Sequence, residues 1–195
     1  MYPNTKALQC DFNDEESVDA ICNKMPEMKL EALINNAYTP VENNHFHKLT
    51  TDVFKNNFCR NILPTIKITQ QAITCFRKMK FGRIITITTS FLVNKPPVGL
   101  STYVAEKAYL ASLCKSWATE NMSFNITSNC LAPSMMLTNF TNNIDERIIE
   151  NAIQAHPFKS LLLPEEMAEM IGLLLAAPRH VNGATWVVNG GADVI

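Results

Sequence analysis

The chain has 195 residues, 47% of them hydrophobic and 18% charged, which suits one globular domain over 1–195 rather than two. Seventeen basic residues against eighteen acidic leave a net charge of -1 with no Lys/Arg cluster, so a nucleic-acid partner has no electrostatic support. No apolar run approaches the roughly 20 residues of a membrane span, and the N-terminal MYPNTK carries no secretory signal; the expected address is cytoplasmic.

Two periods alternate along the chain. Residues 6–10 read as a short strand, and Asp11-Phe12-Asn13-Asp14 followed by Glu15-Glu16 opens a helix running to about Lys24. Residues 30–34 are an apolar strand bounded by Asn35-Asn36. From Leu49 the spacing of Phe54, Phe58, Ile62, Ile66 and Ile73 predicts a long helix, with Pro64 as a kink or a tolerated break. Gly82-Arg83 introduces a β-branched strand at 84–88. A helix is predicted over 102–120, a strand over 125–131 ending at Pro133, and helices over 146–155 and 164–176. The last strand, 184–188, precedes Gly190-Gly191. Strand alternating with helix predicts an α/β fold, a parallel sheet covered on both faces.

Composition supplies two more expectations. Six cysteines are scattered with no CxxC pair, so reduced, buried thiols are expected. Six glycines are about 3% of the chain against the usual roughly 7%, few for a backbone that approaches a phosphorylated ligand closely.

The strongest chemical signal is Tyr103-Val-Ala-Glu-Lys107. On a helix these two side chains share a face, and an ammonium beside a phenol would favour phenolate and lower its pKa. Such a phenol can exchange a proton with a carbonyl or alcohol oxygen. Taken alone the pair is a common helix-surface arrangement. It is joined by Ser90, thirteen residues upstream at the end of a strand, and by Asn61 in the long helix. Asn35-Asn36-Ala37, Pro133-Ser134 with Thr138, and Asn189-Gly190-Gly191 each follow a strand.

In these motifs, from about Ala7 to Ile195, the chain resembles the short-chain dehydrogenase/reductase family, most of all its beta-ketoacyl-acyl-carrier-protein reductase branch. The resemblance implies a Rossmann-like doubly wound sheet and hydride transfer between NAD or NADP and a ketone or 3-oxoacyl thioester. It implies Tyr103 as general acid, with Lys107 lowering its pKa and binding the nicotinamide ribose. Ser90 would orient the substrate carbonyl, though counting from the strand selects Thr89 instead. Asn61 would hold a relay water. Asp11 would lie near adenine, Asn35 and Ala37 near the adenosine ribose, and Thr138 near the nicotinamide amide, with Pro133 a further cofactor-binding residue. A homo-oligomer, dimer or tetramer, is implied through the helices bearing Asn61 and Tyr103, with Phe54, Phe58, Leu113 and Trp117 supplying an apolar face.

The sequence departs from that family in places. No glycine precedes Gly82, so the glycine-rich turn that cradles a diphosphate is missing, together with the family's first two strands and their helices. Its Asn-Asn-Ala-Gly becomes Asn35-Asn36-Ala37-Tyr38, placing a ring where backbone approaches the cofactor unless the ring swings out to solvent. Its Pro-Gly becomes Pro133-Ser134. These losses keep a second reading open, a non-catalytic relative that serves as an oligomerising or partner subunit. Strand 30–34 also loses its neighbour, so either 6–10 moves inward to pair with it or another chain covers that edge. His45 and His47 read as loop residues rather than ligands, and Met135-Met136 as lid or core packing.

Overall fold

The computed structural model describes residues 5–40, 42–138 and 146–192. In chain order the main elements are α1 (Glu15–Lys24), β1 (Ala32–Asn35), α2 (Thr51–Met79), β2 (Gly82–Ile87), α3 (Ser101–Asn121), β3 (Ile126–Pro133), α4 (Glu146–Ala155), α5 (Pro164–Ala176) and β4 (Thr185–Val188). The strands form one parallel sheet in the order β1-β2-β3-β4. This is the parallel, two-faced sheet that the alternation predicts and the Rossmann-like fold that the family resemblance implies.

Side chains of β2 show why both faces are covered. Ile84 points into a cluster with Ala72 and Phe76 of α2 and Cys114 and Trp117 of α3. Ile85 and Ile87, on the alternate face, meet Leu131 of β3 and Met167 and Leu174 of α5. A third cluster joins Val18 and Cys22 of α1 to Ile68 and Cys75 of α2. Trp117 is therefore core, and its place in the expected oligomer face is corrected: the indole gains more from Phe76, Ile84 and Ile126 than from solvent.

Pro64 sits buried inside α2 without ending it. Its ring removes one backbone donor, while Thr65 and Thr69 each donate a hydroxyl to the carbonyl four residues back, at 2.8 and 2.7 Å. The helix stops at Lys80, which turns left-handed with φ 55°, and Phe81 N donates to Phe76 O. Gly82 must then pass the Phe76 ring, where a Cβ would lie 2.4 Å from Cγ.

One predicted strand is absent. Residues 6–10 are irregular, and among the described residues β1 pairs with β2 alone. The expected inward move of 6–10 onto β1 does not occur. Of that stretch, Cys10 is the residue packed on an apolar cluster, beside α1 and α2, while 6–9 are exposed. Strand pairing there would order backbone with little apolar burial to offset the entropy. β1 also begins two residues later than predicted, because Lys29 turns left-handed (φ 49°) and Leu30 serves as packing between two clusters.

Candidate functional site

β2 delivers the chain to the carboxyl edge of the sheet, where open α/β folds place their ligands. Beyond Ile87 come Thr88, Thr89 and Ser90, all buried, and a single tight turn at 90–92. Thr88 Oγ1 donates to Leu131 O at 3.0 Å, fastening this segment to β3. The first turn of α3 then presents Tyr103, and Lys107 follows one turn later on the same face.

Lys107 is 5% exposed, and its Nζ donates to Ile87 O at 2.8 Å. Burial in this low-dielectric spot pulls its pKa down to about 8, although the neighbouring Glu106 charge works the other way. Tyr103 is hydrogen-bonded to the Thr89 side chain, which lowers its pKa, but burial has the larger effect and raises it. The expected lowering of the phenol by Lys107 is thus corrected. The Tyr103 ring centre lies 5.9 Å from Nζ, and the cost of burying a phenolate exceeds what the amine returns.

Of the two hydroxyls left open by the spacing, Thr89 is the one bonded to Tyr103. Ser90 starts the turn, and its carbonyl accepts from Val93 N and Asn94 N. Asn61 is brought to the same place, with its amide engaged by the Tyr38 loop and by Glu106. Its Oδ1 accepts from Thr39 N at 2.8 Å, and its Nδ2 donates to Glu106 Oε2 at 3.2 Å and to Thr39 O at 3.4 Å.

Two residues complete the group. Tyr38 turns inward, correcting the outward alternative: its hydroxyl donates to Glu106 Oε2 at 2.5 Å, and its ring lies 4.3 Å from Lys107 Nζ. The same ring meets Tyr103 edge to face at 5.4 Å. Glu106 was missed by sequence reasoning. Its signal was an acid directly before Lys107, on a helix whose inner face is otherwise uncharged. Burial raises its pKa, with Tyr38, Asn61 and Lys107 holding it back.

The remaining expected cofactor residues are scattered along the edge. Asn35 Nδ2 donates to Thr69 Oγ1 at 3.1 Å and Thr86 Oγ1 at 3.4 Å, so it ties β1 to α2 and β2. Ala37 is exposed beside Tyr38. Asp11 is exposed in the turn before α1, where Oδ1 accepts from Asn13 N at 2.9 Å; that bond lowers its pKa. Pro133 is buried at the end of β3, and Thr138 stands half-buried beyond it. Residues 139–145 lie outside the described residues.

With this geometry in hand, a family model described as enoyl-(acyl carrier protein) reductase matches residues 2–193. The chain belongs to the short-chain dehydrogenase/reductase family. A 3-oxoacyl-[acyl-carrier-protein] reductase of Buchnera aphidicola is 30% identical over 192 residues, covering 92% of this chain and 75% of that protein. The enzyme MabA of Mycobacterium bovis, also a 3-oxoacyl-[acyl-carrier-protein] reductase, is 27% identical over 94% of this chain and 75% of its own length. Among solved structures, YwfH, an NADPH dependent reductase, superposes with a TM-score of 0.85 at 23% identity over 96% of this chain and 77% of its own. A gluconate 5-dehydrogenase from Burkholderia cenocepacia in complex with NADP and tartrate reaches 0.83 at 20% identity, over 93% of this chain and 72% of its own. These two likenesses speak to the fold.

Whether this short-chain dehydrogenase/reductase chain fits a dinucleotide turns on Lys107. Its amine has one hydrogen on Ile87 O, and the Tyr38 ring centre lies 4.3 Å from it, on the path of an incoming sugar hydroxyl. With the ring in place the sugar is kept off the amine; with the ring displaced, hydrogens of the amine other than the one on Ile87 O can meet a sugar hydroxyl, and Lys107 then fits the group.

Proposed function

We propose that this chain is a carbonyl reductase of the short-chain type, exchanging hydride between NAD(P)H and a ketone or 3-oxoacyl thioester. The observation that supports it is Tyr103 hydrogen-bonded to Thr89, with Lys107 one helical turn along, at the carboxyl edge of a parallel sheet. The names of the relatives, 3-oxoacyl-acyl-carrier-protein reductases, supply the substrate class.

Within this reading Tyr103 stays protonated at neutral pH, because burial holds its pKa above the ordinary phenol value. A protonated phenol is the form a general acid needs when a carbonyl oxygen gains negative charge. Thr89 donates to the same oxygen or to Tyr103, fixing where the proton goes. Lys107 sits behind both, fastened to Ile87 O. The test is turnover of a 3-oxoacyl thioester followed by NADPH absorbance. Tyr103→Phe lowers the rate by about 10²–10⁴-fold; unchanged turnover removes Tyr103 from this role.

A second reading, a non-catalytic subunit, is favoured by the Tyr38 ring on Lys107. Its oligomer surface would include Phe58, stacked edge to face on Tyr109 at 5.2 Å, and exposed Leu63. Sedimentation of the Leu63→Lys variant as a monomer, with the parent chain larger, supports that surface.

A further inference from the structure

We propose that Tyr38, anchored by Glu106, determines access to Lys107 and Tyr103, so that a ligand reaching these residues must first displace the Tyr38 ring. The inference goes beyond the reductase reading, because it concerns a contact made by this chain whether or not it turns over.

Three observations carry it. The first is position: the ring lies at once 4.3 Å from Lys107 Nζ and 5.4 Å, edge to face, from the Tyr103 ring, covering both groups from the side of β1. The second is the anchor. Glu106 is 6% exposed, and one oxygen, Oε2, accepts from both Tyr38 OH and Asn61 Nδ2. A buried carboxylate is tolerable only with such partners, so releasing Tyr38 costs Glu106 a strong hydrogen bond.

The third observation is the way the Tyr38 backbone is held. It lies past the end of β1, beyond exposed Asn36 and Ala37. Its support is the next residue, Thr39, whose N–H and carbonyl are both clipped by the Asn61 amide. The ring is therefore placed by two side chains of α2 and α3, Asn61 and Glu106, and not by a strand ladder. Such a contact can open locally without unfolding the sheet behind it.

Access then depends on the open fraction. If the ring is out only a small part of the time, the apparent affinity of any ligand for Lys107 falls by that fraction. Glu106 acts through Tyr38 and is a positioning residue. Glu106→Gln keeps an acceptor for the Tyr38 hydroxyl, whereas Glu106→Ala does not.

The test is trace acetylation of the native chain with acetic anhydride at pH 7, reading Lys107 against the same residue in the unfolded chain. Exposed lysines such as Lys78 serve as the internal standard. In the parent protein Lys107 is slow; Tyr38→Ala and Glu106→Ala raise its acetylation by about tenfold or more, and Glu106→Gln stays near the parent. The conservative variant separates anchoring from packing, since a merely structural loss at Glu106 would not be rescued. If Tyr38→Ala fails to fold, every lysine reacts as in the unfolded chain and Glu106→Ala decides. Lys107 as slow in the folded alanine variants as in the parent overturns the proposal. Calorimetry with NADPH on the same variants keeps the two readings apart. Tighter binding by Tyr38→Ala joins them, while no binding with Lys107 freed removes the reductase reading and leaves the cover in place.

Discussion

The two sides of Lys107 rest on different supports. On one side are β2 and β3, buried at every position and paired along both edges, with Thr88 and Lys107 bonded to Leu131 O and Ile87 O. On the other are β1 and the loop after it, where β1 has one described neighbour, Ile34 is 37% exposed, and Tyr38 is held by side chains. A strand hydrogen-bonded on both sides fixes what it carries, whereas a loop pinned by Asn61 and Glu106 keeps a second position within reach. Thr89 and Lys107, to which we assign the handling of the proton together with Tyr103, are thus fastened to the stiff side, and the Tyr38 ring that lies against Lys107 and Tyr103 belongs to the soft side.

Breaking the stiff side is the larger perturbation. Gly82→Ala places a methyl against the wholly buried Phe76 ring, with the nearest ring carbon 2.4 Å away, and neither β2 nor the ring has room to give. We expect a loss of about 3 kcal/mol in urea unfolding, the upper end for overpacking. A loss below about 0.5 kcal/mol, the range of an ordinary surface change, would show that this junction is softer than its geometry implies.

The soft side is sharpened by pH. Lys107 titrates at about 8 when folded against 10.5 ordinarily, so between these values the unfolded chain binds more protons and stability rises with pH. The buried thiols of Cys22 and Cys130, whose pKa values are raised, pull the other way near pH 9. The difference between the parent and Lys107→Met isolates the amine. From pH 8 to 9.5 the parent should gain on the variant by about 1 kcal/mol per pH unit. No difference in slope would mean that the amine is already open to water, and the cover with it.

The smallest effect lies at the N-terminal flank. Lys67 of α2 bridges Asp19 at 2.6 Å and Glu15 at 3.1 Å on α1, all three at the surface. Lys67→Ala should cost under about 1 kcal/mol and leave Lys107 acetylation unchanged. A larger loss would mean that α1 props the soft side more than its exposed ion pairs suggest.

Much of this chain could be read from its residues alone. The β-branched run at 84–88 and the helical spacing from Phe54 to Ile73 determined the elements, because branched side chains favour extended backbone and an apolar stripe favours a helix packed on one face. The Tyr103–Lys107 pair was legible for the same reason: a helix puts residues four apart on one face. What the sequence could not decide was where unlike elements meet. Residues 6–10 look like a strand until one asks what they would bury, and Thr89 and Ser90 differ by one residue of turn geometry. Tyr38 and Glu106 are 68 residues apart, and their hydrogen bond exists because β1, α2 and α3 converge at one end of the sheet. The direction of the Tyr103 shift likewise followed from burial, which is a property of the assembled fold and not of the motif.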